Sequence, residues 1–233
     1  MKPMSIRKPA VAGTFYPDDP AVLREMISGF LNQAAPPAVV PKAIIAPHAG
    51  YIYSGPIAAS AYAQIKPARG RIKRVVLLGP SHRVPFRGLA ASGAERFSTP
   101  LGDVPVDQEA IDQIKGLKQV AILDAAHAME HSLEVQLPFL QEVLGRFSLV
   151  PLAVGDATAE DVAEVLERLW GGPETLIVIS SDLSHYHDYR TAGKMDRATS
   201  EAIESLHPDN VGYDQACGRI PISGLLVAAK KHG

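Results

Sequence analysis

Cysteine is almost absent from this chain: Cys217 is the single one among 233 residues. An internal disulfide is therefore excluded, which is typical of proteins that fold in a reducing compartment. No apolar run approaches the roughly 18 residues that a membrane-spanning helix needs. The basic segment at residues 1–7 lacks the apolar core of a signal peptide. We expect a cytoplasmic protein with no membrane partner.

An excess of charge of one sign is also lacking. The 23 Lys and Arg residues nearly balance the 25 Asp and Glu residues, and the net charge is −2. Nucleic acids and anionic membranes select basic surfaces, so neither is indicated as a partner. The G-x-S-x-G, G-x-G-x-x-G and G-x-x-x-x-G-K-[ST] signatures are missing as well. The sequence thus supports neither a serine hydrolase of the elbow type nor a nucleotide cofactor.

Strand and helix patterns alternate from one end of the chain to the other. Short β-branched apolar runs, which predict buried parallel strands, are separated by helical patterns of about 10–15 residues. This alternation predicts a single α/β domain over residues 1–233, with a mainly parallel or mixed central sheet flanked by helices. The chain stops directly after a helical pattern, so we expect a C-terminal piece of the domain to be missing.

Five local predictions follow from capping and turn residues. They are a helix over 55–65, a helix capped by Ser132, a capping box of Thr158 with Asp161, a helix over about 193–206, and a turn-rich excursion over the sheet edge at 88–106.

Three of the apolar runs are followed, within a few residues, by a histidine. The pairs are 43–46 with His48, 75–78 with His82 and 176–179 with His185. Ligands bind beyond the carboxyl ends of the strands in open α/β sheets, so we expect these histidines to meet in one site. Imidazole is a common metal ligand, and the sequence therefore predicts a metal site at this edge.

The densest polar cluster lies at residues 180–187. Asp182 and His185 share a face if the strand end turns directly into a helical turn. Asp182 then ligates a metal or orients a ligand, and His185 is a candidate general acid or base. His131, in the segment 130–134, is a candidate at the rim of the site. The remaining histidines are predicted to be surface residues: His127, His187, His207 and His232.

Six segments of the chain resemble the Memo family, protein B of the AmmeMemoRadiSam system. They are 7–17 (RKPAVAGTFYP), 46–55 (APHAGYIYSG), 79–82 (GPSH), 130–134 (EHSLE), 180–185 (SSDLSH) and 217–222 (CGRIPI). They occur in order and span nearly the whole chain. The resemblance implies a fold similar to that of class III extradiol dioxygenases, which are non-haem iron enzymes that cleave catechol rings.

The resemblance also implies a ligand set. Carried onto this sequence, the metal ligands are His48, His82 and Cys217, and Asp182 and His185 line the same pocket. Iron(II) is the first expectation, with copper or zinc as alternatives because a thiolate is a soft ligand. Oxygen-activating iron(II) sites typically use two histidines and one carboxylate, so Asp182 is the alternative third ligand.

Arg7, Phe15, Tyr16, Tyr51 and Tyr53 are predicted to frame a pocket for a polar aromatic ligand. The leading hypothesis is a metal-dependent, dioxygenase-like enzyme that acts on a small substrate. One alternative is a non-catalytic protein that binds phosphopeptides or another anionic aromatic group, or that handles metal. Another is a metal-assisted hydrolase that uses zinc-bound water. The resemblance also implies the other AmmeMemoRadiSam proteins as partners.

Overall fold

Strands and helices alternate along residues 5–232, the part of the chain that the computed structural model describes. The strands are β1 (Ile6–Arg7), β2 (Ala43–Ala46), β3 (Arg74–Pro80), β4 (Leu89–Ala91), β5 (Arg96–Thr99), β6 (Gly102–Pro105), β7 (Val120–Ile122), β8 (Ser148–Val154) and β9 (Thr175–Ser180). The α-helices are α1 (Pro20–Gln33), α2 (Tyr51–Ile65), α3 (Gln108–Ile114), α4 (Asp124–Ala128), α5 (Leu137–Leu144), α6 (Ala159–Leu169), α7 (Tyr189–Glu204) and α8 (Arg219–His232). Short 3₁₀ turns cover Lys66–Ala68, Glu134–Gln136 and Pro208–Asn210.

The larger of two sheets has six strands in the order β2-β9-β3-β8-β4-β7. β4 is antiparallel to β8, and the other neighbouring pairs are parallel. The register places Ala46 of β2 beside Ser180 of β9, and Leu78 of β3 beside Ile179 of β9. These three strands therefore end at the same edge. The prediction of an α/β domain with a mixed sheet flanked by helices is confirmed.

The core lies around the central strands of this sheet. Val75, Leu77, Val150, Ile177 and Ile179 are fully buried, as expected for strands covered on both faces. One group of helices, α1, α2 and α5, packs together, and α3, α6 and α8 form a second group. Within residues 5–232, no helix is both long and apolar enough to cross a membrane.

The smaller sheet corrects the interpretation of residues 88–106. β4 lies inside the central sheet, while β5 and β6 form an antiparallel hairpin that pairs with β1. The segment is therefore part of two sheets and not an excursion over one edge. The strands were too short, at three or four residues, to give a periodic pattern.

Two predicted helix starts are wrong, and a predicted capping box is confirmed. α2 begins at Tyr51, four residues before Gly55, and the N–H of Tyr51 donates to the carbonyl of Phe15. α7 begins at Tyr189, where the side chain of Asp188 caps it. Thr158 caps α6 in a reciprocal capping box with its N3 residue, as predicted.

The prediction that Ser132 caps a helix is also wrong. Its hydroxyl donates to the carbonyl of Pro80 at 2.9 Å, so it is not free to cap. α5 starts five residues later at Leu137, with Pro138 in its first turn, where the missing N–H of proline costs no hydrogen bond.

Candidate functional site

The carboxyl edge of the central sheet carries a group of polar side chains. His48 lies just beyond β2, His82 just beyond β3 and Asp182 just beyond β9. Because β9 lies between β2 and β3, these side chains converge. The ring centroids of His48 and His82 are 5.2 Å apart.

His131 lies among these imidazoles and not merely at the rim. One ring nitrogen each of His48, His82 and His131 lies within 4.8 Å of the other two, and we call these residues the histidine cluster. The His131 ring is 4.7 Å from that of His82 and 5.5 Å from that of His48, centroid to centroid. Burial lowers the pKa of His131 to about 4, so the ring is neutral at physiological pH. Its buried Nδ1 has no hydrogen-bond partner among the described residues.

Cys217 lies against the histidine cluster. Its Sγ is 3.3 Å from Nε2 of His48 and accepts a hydrogen bond from the backbone N–H of Asp182, also at 3.3 Å. Burial raises the pKa of the thiol, but hydrogen bonds with His48 and His82 outweigh burial and bring the pKa down to about 6. A thiolate, which is a strong ligand for soft metals, is therefore available near neutral pH.

The other ring nitrogen of His48 faces the interior. Nδ1 is 2.8 Å from the hydroxyl oxygen of Ser180, and the residue is 2% exposed. The backbone N–H of His48 donates to Oδ1 of Asp182 at 2.7 Å. His48 is thus held through its ring and its backbone, with Nε2 directed at Cys217.

Glu130 holds His82 in a similar way. Its carboxylate accepts from Nδ1 of His82 at 2.9 Å, from the backbone N–H of His82 at 2.5 Å and from the backbone N–H groups of His131 and Ser132. Burial raises the pKa of this carboxyl, but the hydrogen bonds outweigh burial and the pKa falls to about 2. Hydrogen bonds with Cys217 and Glu130 raise the pKa of His82 to about 9.

Asp182 and His185 form the outer side of the site. Oδ1 of Asp182 accepts from the backbone N–H groups of His48 and Ala49, and Oδ2 is 3.8 Å from Nε2 of His185. The helical turn that would place them on one face is absent: residues 181–188 are irregular in the described structure. The two side chains nevertheless meet, and the His185 side chain is 45% exposed at the mouth.

Two of the residues predicted to frame a ligand pocket are bonded inside the protein. The guanidinium of Arg7 pairs with the fully buried carboxylate of Glu134 and donates to two backbone carbonyls. The hydroxyl of Tyr16 donates to the same carboxylate at 2.6 Å. The backbone N–H groups of Ala10 and Val11 also donate to it, at 2.7 and 3.0 Å. This network fastens the N-terminal segment to the loop that carries His131.

The other predicted pocket residues differ in their positions. The Phe15 ring packs 4.8 Å from the His131 ring and so contacts the histidine cluster. Tyr51 is buried and donates to the carbonyl of Val135 at 2.7 Å. The Tyr53 side chain is exposed.

The prediction that His127 is a surface residue is wrong. α4 places it under β4, where it is 1% exposed and its Nε2 lies 3.0 Å from the carbonyl of Ala90. Burial lowers its pKa to about 4. The other three histidines predicted at the surface are exposed: His187, His207 and His232.

Sequence reasoning missed three polar residues that orient the imidazoles. Glu130 and Ser180 contact imidazoles that lie 48 and 132 residues away in the sequence, and Gln136 contacts Ser180, which is 44 residues away. Glu130 had one local signal, its position directly before His131. The contacts of Ser180 and Gln136 depend on strand order and had no signal in the sequence.

The donor set fits a transition metal and not a hard cation. Imidazoles suit zinc, copper and iron, and a thiolate favours softer ions, whereas Ca²⁺ and Mg²⁺ select oxygen ligands. The convergence of one ring nitrogen from each of the three histidines within 4.8 Å supplies the required geometry. His48, His82, His131 and Cys217 are the residues that could hold the ion.

Comparisons with known proteins agree on one family. The sequence profile described as "Memo-like protein" matches residues 7–233. A MEMO1 family protein of Thermotoga maritima is 40% identical over 87% of this chain and 78% of its own length. One from Aquifex aeolicus is 36% identical over 97% of this chain and 84% of its own length.

A solved structure, that of an uncharacterized protein from Escherichia coli K12, aligns with a TM-score of 0.49 and 14% identity. The alignment covers 72% of this chain and 80% of that one. The profile match and the curated relatives, which span most of the sequence, show that this chain belongs to the Memo-like protein family.

Proposed function

We propose that this protein is a metal-dependent, dioxygenase-like enzyme whose ion is held by His48, His82 and Cys217. One observation carries the proposal: Nε2 of His48 lies 3.3 Å from the thiol of Cys217, in a cluster where three ring nitrogens approach within 4.8 Å. The opposite nitrogens of His48 and His82 contact Ser180 and Glu130. Metal-ligating histidines characteristically use their second nitrogen in this way.

Iron(II) is the metal we propose, with copper or zinc as alternatives. When bound with open coordination positions, iron(II) supplies the activation of O₂, and a dioxygenase reaction places both oxygen atoms in the product without a further reductant. The small substrate that would be oxidised enters from the side of His82 and His185, whose side chains are partly exposed.

His185 is the proposed acid or base at the mouth of the site. Its ring reaches solvent, and Oδ2 of Asp182 lies 3.8 Å from its Nε2. An imidazole at the mouth of the site can exchange a proton with a substrate. Asp182 also fixes the backbone of His48, so it links the proton-transferring residue to a metal ligand. Arg7 is excluded from ligand recognition in this proposal because Glu134 already pairs with it.

A second function, metal handling without catalysis, is supported by His131. A fourth donor would complete a tetrahedral set, and closed four-ligand sites are typical of metals that are held and not used in reactions. Its ring nitrogen lies within 4.8 Å of those of His48 and His82. Whether His131 coordinates the ion therefore separates the two functions.

The first test is metal content and Fe(II) affinity after anaerobic purification. We expect a single iron per chain. In His48→Ala and Cys217→Ser the Fe(II) affinity should fall by more than about 100-fold. That loss exceeds the roughly 10–100-fold that follows when a residue hydrogen-bonded to a metal ligand is removed. The control is His207→Gln, which changes an exposed histidine outside the site. Unchanged affinity in His48→Ala would contradict the proposal.

His131→Gln then distinguishes the enzyme from the metal-handling protein. An enzyme with an open site keeps its iron affinity in this variant, and the natural protein consumes O₂ when catechol is supplied as a probe. A closed site loses affinity in His131→Gln as strongly as in His48→Ala and consumes no O₂ with catechol.

A further inference from the structure

A chain of buried polar side chains runs from the interior of the protein to Nδ1 of His48. The hydroxyl of Tyr62 donates to Oε1 of Gln136 at 2.7 Å. Nε2 of Gln136 donates to the hydroxyl oxygen of Ser180 at 2.7 Å, and that oxygen lies 2.8 Å from Nδ1 of His48. Tyr62, Gln136, Ser180 and His48 are all nearly inaccessible to solvent, so water cannot substitute for a missing partner.

The orientation of the Gln136 amide is fixed by the backbone. Its nitrogen lies 2.9 Å from the carbonyl oxygen of Pro47 and 3.4 Å from that of Ala46. A carbonyl only accepts, so the NH₂ group must face Pro47, and the amide oxygen must face Tyr62. One amide hydrogen is thereby directed at Ser180.

The hydroxyl of Ser180 then has a single possible arrangement. It has one hydrogen and two lone pairs. The carbonyl oxygen of Ser132 lies 2.6 Å away and can only accept, so the hydrogen goes there. One lone pair accepts from Gln136, and the remaining one faces His48. Nδ1 of His48 must therefore carry a hydrogen and donate it.

We propose that Ser180 and Gln136 are positioning residues that fix the ring tautomer of His48 before any metal binds. With a hydrogen held on Nδ1, the nitrogen that a metal would take is Nε2, which is the one directed at Cys217. The importance of this arrangement for ligand binding rests on the proposed function. The arrangement itself follows from the hydrogen bonds and exists in the metal-free protein.

The test reads the tautomer directly, by ¹⁵N NMR of the His48 ring in metal-free protein at mildly alkaline pH. In the natural sequence we expect Nδ1 to resonate as a protonated nitrogen. In Ser180→Ala, Nδ1 loses its acceptor, and the hydrogen moves to Nε2, where the thiolate of Cys217 accepts it. In Gln136→Met the Ser180 hydroxyl is free to donate to either neighbour, so we expect a mixture of tautomers.

A metal-affinity measurement accompanies the spectra. Zn(II), which undergoes no redox change, should bind about 10–100-fold more weakly to Ser180→Ala, and less severely so to Gln136→Met. The matched control is Gln141→Met, because Gln141 bonds to Thr99 and Gly102 far from the cluster. We expect it to change neither the tautomer nor the affinity.

The outcomes separate this inference from the proposed function. An unprotonated Nδ1 in the natural sequence overturns the inference even if iron binds. A protonated Nδ1 that persists in Ser180→Ala with full Zn(II) affinity also overturns it. A protonated Nδ1 that is lost in Ser180→Ala supports it, and if no variant or natural protein binds metal, only the proposed function fails.

Discussion

Glu130 shows how much of the site depends on a single carboxylate. It is 1% exposed and accepts hydrogen bonds from one imidazole and three backbone N–H groups, including those of His82 and His131. These donors keep it ionised despite burial. Its negative charge lies beside the histidine cluster, where it would offset part of the charge of a bound cation and make the His82 ring a stronger donor.

His127 makes the stability of the folded protein sensitive to acid. Its pKa is lowered by burial from 6.5 to about 4, so the unfolded chain takes up a proton at a higher pH than the folded protein does. The contribution of His127 to the free energy of unfolding is therefore fully present above about pH 6.5, and it is lost as the pH drops towards 4. At about pH 5 the loss amounts to about 2 kcal/mol, since one pKa unit corresponds to about 1.4 kcal/mol.

The variant His127→Gln should not lose this stability at pH 5, because an amide does not titrate. The amide also keeps an N–H donor for the carbonyl of Ala90. Urea unfolding at pH 7 and pH 5 measures it. The exposed His207→Gln serves as the control and should keep the full pH dependence. The same pH dependence in both variants would show that His127 is not the cause.

At the scale of elements, the crossing of α6 and α8 depends on the absence of a side chain at Gly224. A Cβ added there would lie 2.4 Å from the side chain of Val162 and 3.0 Å from the carbonyl of Ala159. The clash cannot be relieved by a change of side-chain rotamer, because one of the atoms at 2.4 Å is the Cβ of Val162, which is fixed to the backbone.

Gly224→Ala should therefore destabilise the protein by about 1–3 kcal/mol, the range for overpacked cores. Gly29→Ala is the matched control within α1, where an added Cβ meets no atom within 4 Å. It should stabilise the protein by roughly 0.5–1 kcal/mol through helix propensity. Chemical unfolding of both variants checks the pair, and equal effects would contradict the packing argument.

The elements that the sequence predicted well are those with a strong local signal. The buried runs of β3, β8 and β9 are four or more apolar residues long, and the capping box of α6 is a pair of residues three positions apart. The start of α2 and the role of Ser132 were not predictable, because each depends on a partner distant in sequence. The N–H of Tyr51 donates to the carbonyl of Phe15, and the hydroxyl of Ser132 donates to Pro80.

At the scale of the whole molecule, the candidate site joins segments that are otherwise separate. The donors come from the ends of β2 and β3, from the loop after α4 and from the turn before α8. Strand ends predicted that His48, His82 and His185 lie together, because parallel strands share an edge. The entry of His131 into the cluster was not predictable, since it depends on Glu130 reaching across to His82.

A metal that binds these segments only when they are folded should raise the stability of the whole chain. At a free Zn(II) concentration about 100 times the Kd, the gain is about 2.7 kcal/mol. For a protein of this size that corresponds to a rise in Tm of roughly 5–11 °C. Thermal unfolding with and without Zn(II) measures the rise, and a chelator should reverse it.

His48→Ala should show no such rise, while His207→Gln should show all of it. An equal rise in natural protein and His48→Ala would mean that the ion binds elsewhere.

The pairing of β2 with β9 has a consequence for the order in which the protein assembles. Within the described residues, β2 has β9 as its partner in the sheet, and the paired residues are 134 positions apart. During synthesis, the strand that precedes His48 must wait for most of the chain before it can be paired, and such distant parallel pairings form slowly. Cys217 follows His48 by 169 residues. The candidate site around His48 and Cys217 is therefore among the last features of the nascent protein to form, and an ion bound there would be captured after translation has passed the thiol.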